Sequence, residues 1–237
     1  MLLREDGDGV VAIGQASHAW LSGQLARAWR PRPEPFEEVC LAAEQHDVGM
    51  AQWDLAPALN AETGLPQDFL QMPLRTHLRL WHAAPARLLT QSRWAALLVS
   101  LHGTRLYELR DLERMEEADA DEVRAYLAAQ RVLQGRLADE VGADLATLRG
   151  LQALVFRWDA MSLLLCLGRP LFPVDGMELT DGGATLADWP FEGDSLAVRC
   201  EGRRLLGRFA TEPELHAALE AAPRVELRFE LRPAVRG

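Results

Sequence analysis

The residues of this chain best suited to chemistry are a few histidines and aspartates that interrupt apolar stretches. Asp159 lies in the run LQALVFRWDAMSLLLCLG, whose apolar density is typical of a buried helix. An ionised carboxylate in such a place costs several kcal/mol unless a positive charge compensates it. A bound cation is the simplest compensation, so further metal ligands are expected elsewhere in the chain.

Three stretches upstream of Asp159 carry suitable ligands. His18, the adjacent pair His46-Asp47 and His102 each lie in a segment with helical character. A neutral imidazole nitrogen binds divalent cations, and a carboxylate adds negative charge and can bridge two ions. Polar groups on four amphipathic helices can converge on one point inside a bundle. The sequence therefore predicts a buried metal site formed by His18, His46, Asp47, His102 and Asp159.

A simpler explanation of these residues stays open at this point. A single histidine on an apolar helix is usually a hydrogen-bonded core residue. Asp159 can also pair with Arg157 or Arg105, which would make a buried ion-pair network without any chemistry.

Four further residues are weaker candidates for the site. Arg105 lies one helical turn after His102 on nearly the same face, which makes it the preferred phosphate contact. Asp54 is an acid that supports the metal ligands, a substrate contact or a loop cap. His77 and His82 are five residues apart on one predicted helix and point to different faces, so at most one of them can line the site.

The elements that must position these residues are mostly helices. Local patterns predict six of them, over residues 18–29, 36–47, 74–89, 94–109, 111–141 and 147–167. Two short strands precede them, and residues 53–69 are expected to form a loop. We therefore predict a mainly α protein, with a helical domain and N-terminal hairpin over residues 1–168. Residues 169–237 are expected to form a small β-rich unit packed on that domain, which the hairpin can join.

Composition limits the partners and the location. The chain has 237 residues and a net charge of −10, and all of its 25 basic residues are arginine. This acidic balance disfavours broad nucleic-acid binding. No apolar run reaches the roughly 20 residues of a membrane span, and no signal peptide is recognised, so a cytoplasmic location is predicted. Three widely spaced cysteines argue against a disulfide framework, and the oligomeric state stays open.

The ordered ligands resemble the HD superfamily of metal-dependent phosphohydrolases, which are helical proteins named for a His-Asp doublet. The segment AEQHDVGM resembles the doublet helix, and FRWDAMSLLLC resembles the helix of the late aspartate. By this resemblance His18 matches the first histidine and Asp159 matches the last ligand. His46 and Asp47 match the doublet, and His102 fits the further histidine that two-metal branches use. An HD-like helical bundle is therefore expected, from which the β-rich tail departs.

More narrowly, the chain is similar to a bacterial family described as a domain of unknown function. The likeness is carried by AIGQASHAWLSGQLA, EQHDVGMAQWD, TGLPQDF and ALLVSLHGTRLY, within residues 1–110, and the Asp159 helix extends it. Because no activity is known for that family, the likeness supports the predicted metal site but does not predict a reaction.

The HD resemblance implies hydrolysis of a phosphate ester in a nucleotide or small phosphorylated metabolite. It implies one or two divalent ions, with Mn, Fe, Mg, Ni and Zn all open, and Asp47 as a bridge between two ions. His102 would be a ligand or a proton donor, and Arg105 would neutralise charge on the substrate. Two alternatives stay open, namely a catalytically inactive module that senses a ligand or binds a partner, and a di-iron oxygenase of HD type.

Overall fold

The computed structural model describes residues 1–235, of which 52% are helical and 19% lie in strands. The helices are α1 (Gln15–Ala28), α2 (Phe36–Gln45), α3 (Ala51–Leu55), α4 (Leu74–Ala83), α5 (Arg93–Glu108), α6 (Glu117–Val141), α7 (Leu145–Leu167) and α8 (Glu212–Ala221). The strands are β1 (Leu2–Asp6), β2 (Gly9–Ile13), β3 (Leu59–Asn60), β4 (Leu65–Pro66), β5 (Met177–Thr180), β6 (Gly183–Leu186), β7 (Leu196–Leu206) and β8 (Arg224–Pro233).

Six of the strands form one curled mixed sheet in the order β1-β2-β7-β8-β6-β5. The pair β6–β8 is parallel, and the other neighbours are antiparallel. The N-terminal hairpin enters this sheet through β2, in which Val10 lies opposite Leu205 of β7. Strands from both ends of the chain therefore share one sheet.

The predicted fold class, a mainly α HD-like bundle with a small β-rich unit, is wrong. The six-stranded sheet is a substantial second layer rather than an appendix. Local periodicity cannot show that strands nearly 200 residues apart will pair, so the hairpin and the tail looked like minor elements. The division into domains at residues 168 and 169 stays a prediction.

The longest strand of the tail is β7, with the sequence LAVRCEGRRLL. In the structure Gly202 lies within the strand, where a Cβ atom would collide with Val11 on β2. Glycine is needed here because the neighbouring strand approaches closely, as it often is in strand interiors.

The helices α1, α2, α5 and α7 pack against one another and form the core, and α1 also contacts β7. The helix α7 begins after Asp144, whose carboxylate accepts hydrogen bonds from the amides of Ala146 and Thr147. Gly168 ends it in a left-handed conformation. By length and composition, α7 is the helix among residues 1–235 that could cross a membrane, but 67% of its apolar window is buried in the protein. Such burial is typical of a core helix.

Candidate metal centre

Four packed elements bring five ligand side chains together. His18 lies on α1, His46 is at the C-terminal end of α2 and is followed by Asp47, His102 lies on α5, and Asp159 lies on α7. All five are buried, and Asp159, the most exposed of them, is 6% exposed. The five residues predicted from the sequence to bind metal therefore meet in the helical core.

The donor atoms form two overlapping groups that could hold a metal ion, one with His18, His46 and Asp47 and one with His46, His102 and Asp159. Asp159 Oδ1 lies 3.3 Å from His46 Nε2, and its Oδ2 lies 3.4 Å from His102 Nε2. When two donor atoms bind the same ion, each at about 2.1 Å from it, the two donors are at most about 4.2 Å apart. These separations therefore suit a single shared ion.

His46 is oriented as metal-binding histidines usually are. Its Nδ1–H donates a hydrogen bond of 2.8 Å to the carbonyl oxygen of Ala43, which fixes the ring. Its Nε2 is buried and has no hydrogen-bond partner. A buried polar atom left without a partner is costly, so Nε2, which faces the carboxylates of Asp47 and Asp159, fits a site for a proton or a bound cation.

His18 is held between a hydroxyl and a carboxylate. Ser162 Oγ lies 2.9 Å from His18 Nδ1 and 2.8 Å from the carbonyl oxygen of Asp159, and Ser22 donates to Ser162. The other His18 nitrogen, Nε2, lies 2.7 Å from Asp47 Oδ2. Either a proton on Nε2 or a metal ion in its place joins these two atoms.

The electrostatics of the centre favour a positive charge. Burial opposes ionisation of Asp47 and Asp159, but the neighbouring imidazoles outweigh it and hold the pKa of both carboxyls below the usual range. Burial alone would lower the pKa of His46, yet Asp47 and Asp159 raise it to about 9. In the metal-free protein a proton on His46 therefore takes the position of a cation.

His102 behaves differently from His46. Burial, followed by the nearby charge of His46, lowers the pKa of His102 to about 4. Its imidazole is therefore neutral near pH 7, and its Nδ1 has no hydrogen-bond partner. A neutral imidazole suits a metal ligand, whereas a proton donor must carry a spare proton at the working pH.

A cavity of about 330 Å³ opens beside the centre and is lined by His18, Asp47, His102 and Asp159. Most of its remaining wall is aliphatic or aromatic, including Phe156, whose ring centre lies 5.9 Å from that of His102. Pockets of this kind, apolar with a few converging polar groups, are typical small-molecule sites.

The structure does not bring Arg105 to this cavity. Its side chain is exposed on α5, and the next residue, Leu106, lines the cavity instead. The arginine at the cavity is Arg110, just beyond the end of α5, whose guanidinium carbon lies 4.7 Å from the centre of the Tyr107 ring. Helical periodicity could not find Arg110, because the chain has left the helix there.

Of the two weaker histidine candidates, His77 lines the cavity, whereas His82 is exposed. His77 Nε2 accepts the indole N–H of Trp81 at 3.1 Å, and its Nδ1 contacts the hydroxyl of Tyr107. Burial, followed by the charge of Arg110, lowers the pKa of His77 to about 4. Both nitrogens are thus occupied, and His77 belongs to the wall rather than to the ligand set.

Asp54 does not reach the cavity beside the centre. One carboxylate oxygen lies 2.7 Å from the amino group of Met1, and the other accepts a hydrogen bond from the amide of Gln15. Asp54 also lines a separate cavity near β7. The structure therefore gives Asp54 a role in connecting α3 with the start of α1.

Ser162 is the residue at the candidate centre that sequence reasoning missed, although a signal was available. It follows Asp159 by three residues, so it lies on nearly the same helical face. The pattern Asp-x-x-Ser thus places a hydroxyl on the face of the helix that carries Asp159, where it contacts the ring of His18.

The fold and site together define a protein with a buried His/Asp centre between core helices that pack on a mixed sheet. Residues 1–206 match the model of a family described as "Protein of unknown function (DUF3891)". The chain belongs to this family. No curated protein and no solved structure matches the chain.

Proposed function

We propose that this protein is a metal-dependent phosphohydrolase related to the HD superfamily, acting on a small phosphorylated ligand. The observation that carries the proposal is the pair of buried imidazole nitrogens, on His18 and His46, that face carboxylates and need a cation or a proton between them. The order of the ligands along the chain, a histidine, a His-Asp doublet, a further histidine and a late aspartate, supports the HD relationship.

His18, His46, Asp47, His102 and Asp159 would hold the ion. When bound, a divalent ion polarises a phosphoryl group and lowers the pKa of a water molecule to near 7. A mixed set of imidazole and carboxylate donors favours Mn, Fe, Ni or Zn over Mg, which prefers oxygen ligands.

The residues around the ion have separable tasks. Ser162 holds His18 in the orientation that directs its Nε2 toward Asp47. The apolar wall, with Phe156 and Leu163, excludes bulk water from the phosphate ester and thereby strengthens electrostatic interactions in the site. Arg110 makes no ion pair with residues 1–235, so its charge is available to attract an anionic substrate to the cavity.

We also propose a class of substrate and a cellular setting. With a net charge of −10, the protein should act on small molecules rather than on nucleic acid. We place it in the cytoplasm, which the burial of its most apolar helix suits.

The test combines metal analysis with a search for turnover. Protein purified without chelator is analysed for bound elements, then assayed against phosphate monoesters and diesters with added Mn²⁺ or Fe²⁺. We expect about one bound ion per chain and phosphate release that is lost in Asp159→Ala. An unchanged metal content in this variant would contradict the proposal, and oxygen consumption with Fe²⁺ in place of phosphate release would favour a di-iron oxygenase.

A second candidate is a protein that binds the same ligand without turning it over. The observation favouring it is that His77 and His102 are both neutral near pH 7, which leaves neither of them to protonate a leaving group. Thermal stabilisation by a phosphate ester, with no release of phosphate under any metal condition, would favour this candidate.

A further inference from the structure

The walls of the cavity beside the metal centre indicate which class of molecule it accepts. Of the 17 side chains that line it, ten are aliphatic or aromatic. Four of these, Trp81, Leu106, Phe156 and Leu163, come from helices that also carry or contact the metal ligands. A ligand in this cavity would bury apolar surface, and that burial contributes about 25 cal/mol per Å².

The positive charge along the wall is limited. Arg110 is the single arginine that lines the described cavity, and the chain contains no lysine. A nucleoside triphosphate carries three to four negative charges, and phosphate sites for such ligands use several cationic or amide donors. One arginine and one divalent ion would leave much of this charge uncompensated beside Asp47 and Asp159.

Aromatic rings separate the metal centre from Arg110. The ring of Trp81 lies 5.6 Å from that of His102 and 6.1 Å from that of His77. The ring of His77 lies 5.6 Å from that of Tyr107, which packs under the guanidinium of Arg110. His77 and Trp81 line the cavity, and Tyr107 is buried behind them. The ionic end of the cavity is thus joined to its basic end by aromatic side chains whose polar atoms already bond one another.

From this arrangement we propose that the site takes a phosphate monoester whose alcohol bears an aromatic or branched aliphatic group, and that nucleoside di- and triphosphates are poor ligands. This inference rests on the proposed function, because it puts the phosphate group at the metal centre. The cavity of about 330 Å³ has room for such a group, since about 150 Å³ is enough to hold a benzene ring.

The test compares two phosphonates that differ only in the apolar group. Phenylphosphonate and methylphosphonate carry the same ionic head, and neither is hydrolysed. Their dissociation constants are measured by calorimetry on the full-length protein loaded with Mn²⁺. Burial of the ring should make phenylphosphonate bind at least about tenfold more tightly, and ATP should bind more weakly than either.

A variant tests whether the cavity wall is the cause. Phe156 is half-buried in the wall, and Phe156→Ser should remove most of the ratio by which phenylphosphonate binds more tightly than methylphosphonate, whatever it does to the affinity for the shared ionic head. Phe36, on α2, is similarly half-buried but does not line the cavity, so Phe36→Ser is the matched control and should keep the full preference.

The outcomes separate this inference from the proposal beneath it. Equal binding of the two phosphonates, or a preference that survives in Phe156→Ser, would overturn the inference while leaving a phosphate-binding metal site in place. If Mn²⁺ binds but neither phosphonate does, the proposed function itself fails, and the inference fails with it.

Discussion

Replacing Asp159 by asparagine should remove most of the metal affinity while keeping the shape of the side chain. The carboxylate oxygens lie 3.3 and 3.4 Å from the nitrogens of His46 and His102. Unit charges 3.3 Å apart interact with about 5 kcal/mol at an effective dielectric constant of 20. After the cost of desolvation, the attraction between the Asp159 carboxylate and a divalent ion would still be at least half of this energy. Asp159→Asn should therefore weaken metal binding about 100-fold or more.

Thermal unfolding measures this loss without requiring any activity. A ligand at 100 times its dissociation constant stabilises the folded state by about 2.7 kcal/mol. For a domain of this size, that corresponds to a rise in Tm of about 5–10 °C. Asp159→Asn at the same metal concentration should gain only about 1 °C, because its site would be at most half occupied.

The matched control is Asp175→Asn, which removes the same charge from an exposed position. It should keep the full metal-dependent rise. The reasoning would be refuted if Asp159→Asn kept the rise as well, or if Mn²⁺, Fe²⁺, Ni²⁺ and Zn²⁺ all left the Tm of the unchanged protein where it was.

Three further predictions follow from individual contacts. Ser162→Ala removes the hydroxyl that holds His18 and should lower metal affinity about 10-fold, measured by competition with a chelator; unchanged affinity would contradict this role. Because the pKa of His46 is raised to about 9 and a ligand must be unprotonated, metal binding at pH 7 should release about one proton. Affinity should then rise with pH and level off above pH 9. Calorimetry in two buffers measures the released proton, and an affinity that does not change with pH would contradict the prediction. Arg110→Gln should lower kcat/KM about three- to tenfold at low salt, whereas Arg105→Gln, away from the cavity, should not; equal effects would argue against steering by Arg110.

The meeting of the candidate ligands could be anticipated because each is a polar residue in an apolar helix. Asp159 is the clearest example, since a carboxylate among leucines requires a partner wherever the helix packs. The helix patterns also placed α1, α2, α5 and α7 within a few residues of their observed bounds. Local patterns did not show which segments beyond the helix ends complete the cavity.

The features that sequence reasoning missed depend on contacts between distant segments. The sheet joins β2 to β7 across nearly 200 residues, and neither strand signals its partner. Arg110 displaced Arg105 as the arginine at the cavity because α5 ends at Glu108 and the chain turns there. Gly49, between α2 and α3, allows close approach of α4, since a Cβ atom there would collide with the carbonyl of Leu80.

The most direct test of a metal ion in the helical core is anomalous scattering from crystals grown with Mn²⁺. The account predicts one strong peak per chain within about 2.3 Å of His46 Nε2 and of a carboxylate oxygen of Asp159. Crystals without a peak there, in which the same imidazoles and carboxylates are joined only by protons, would contradict it.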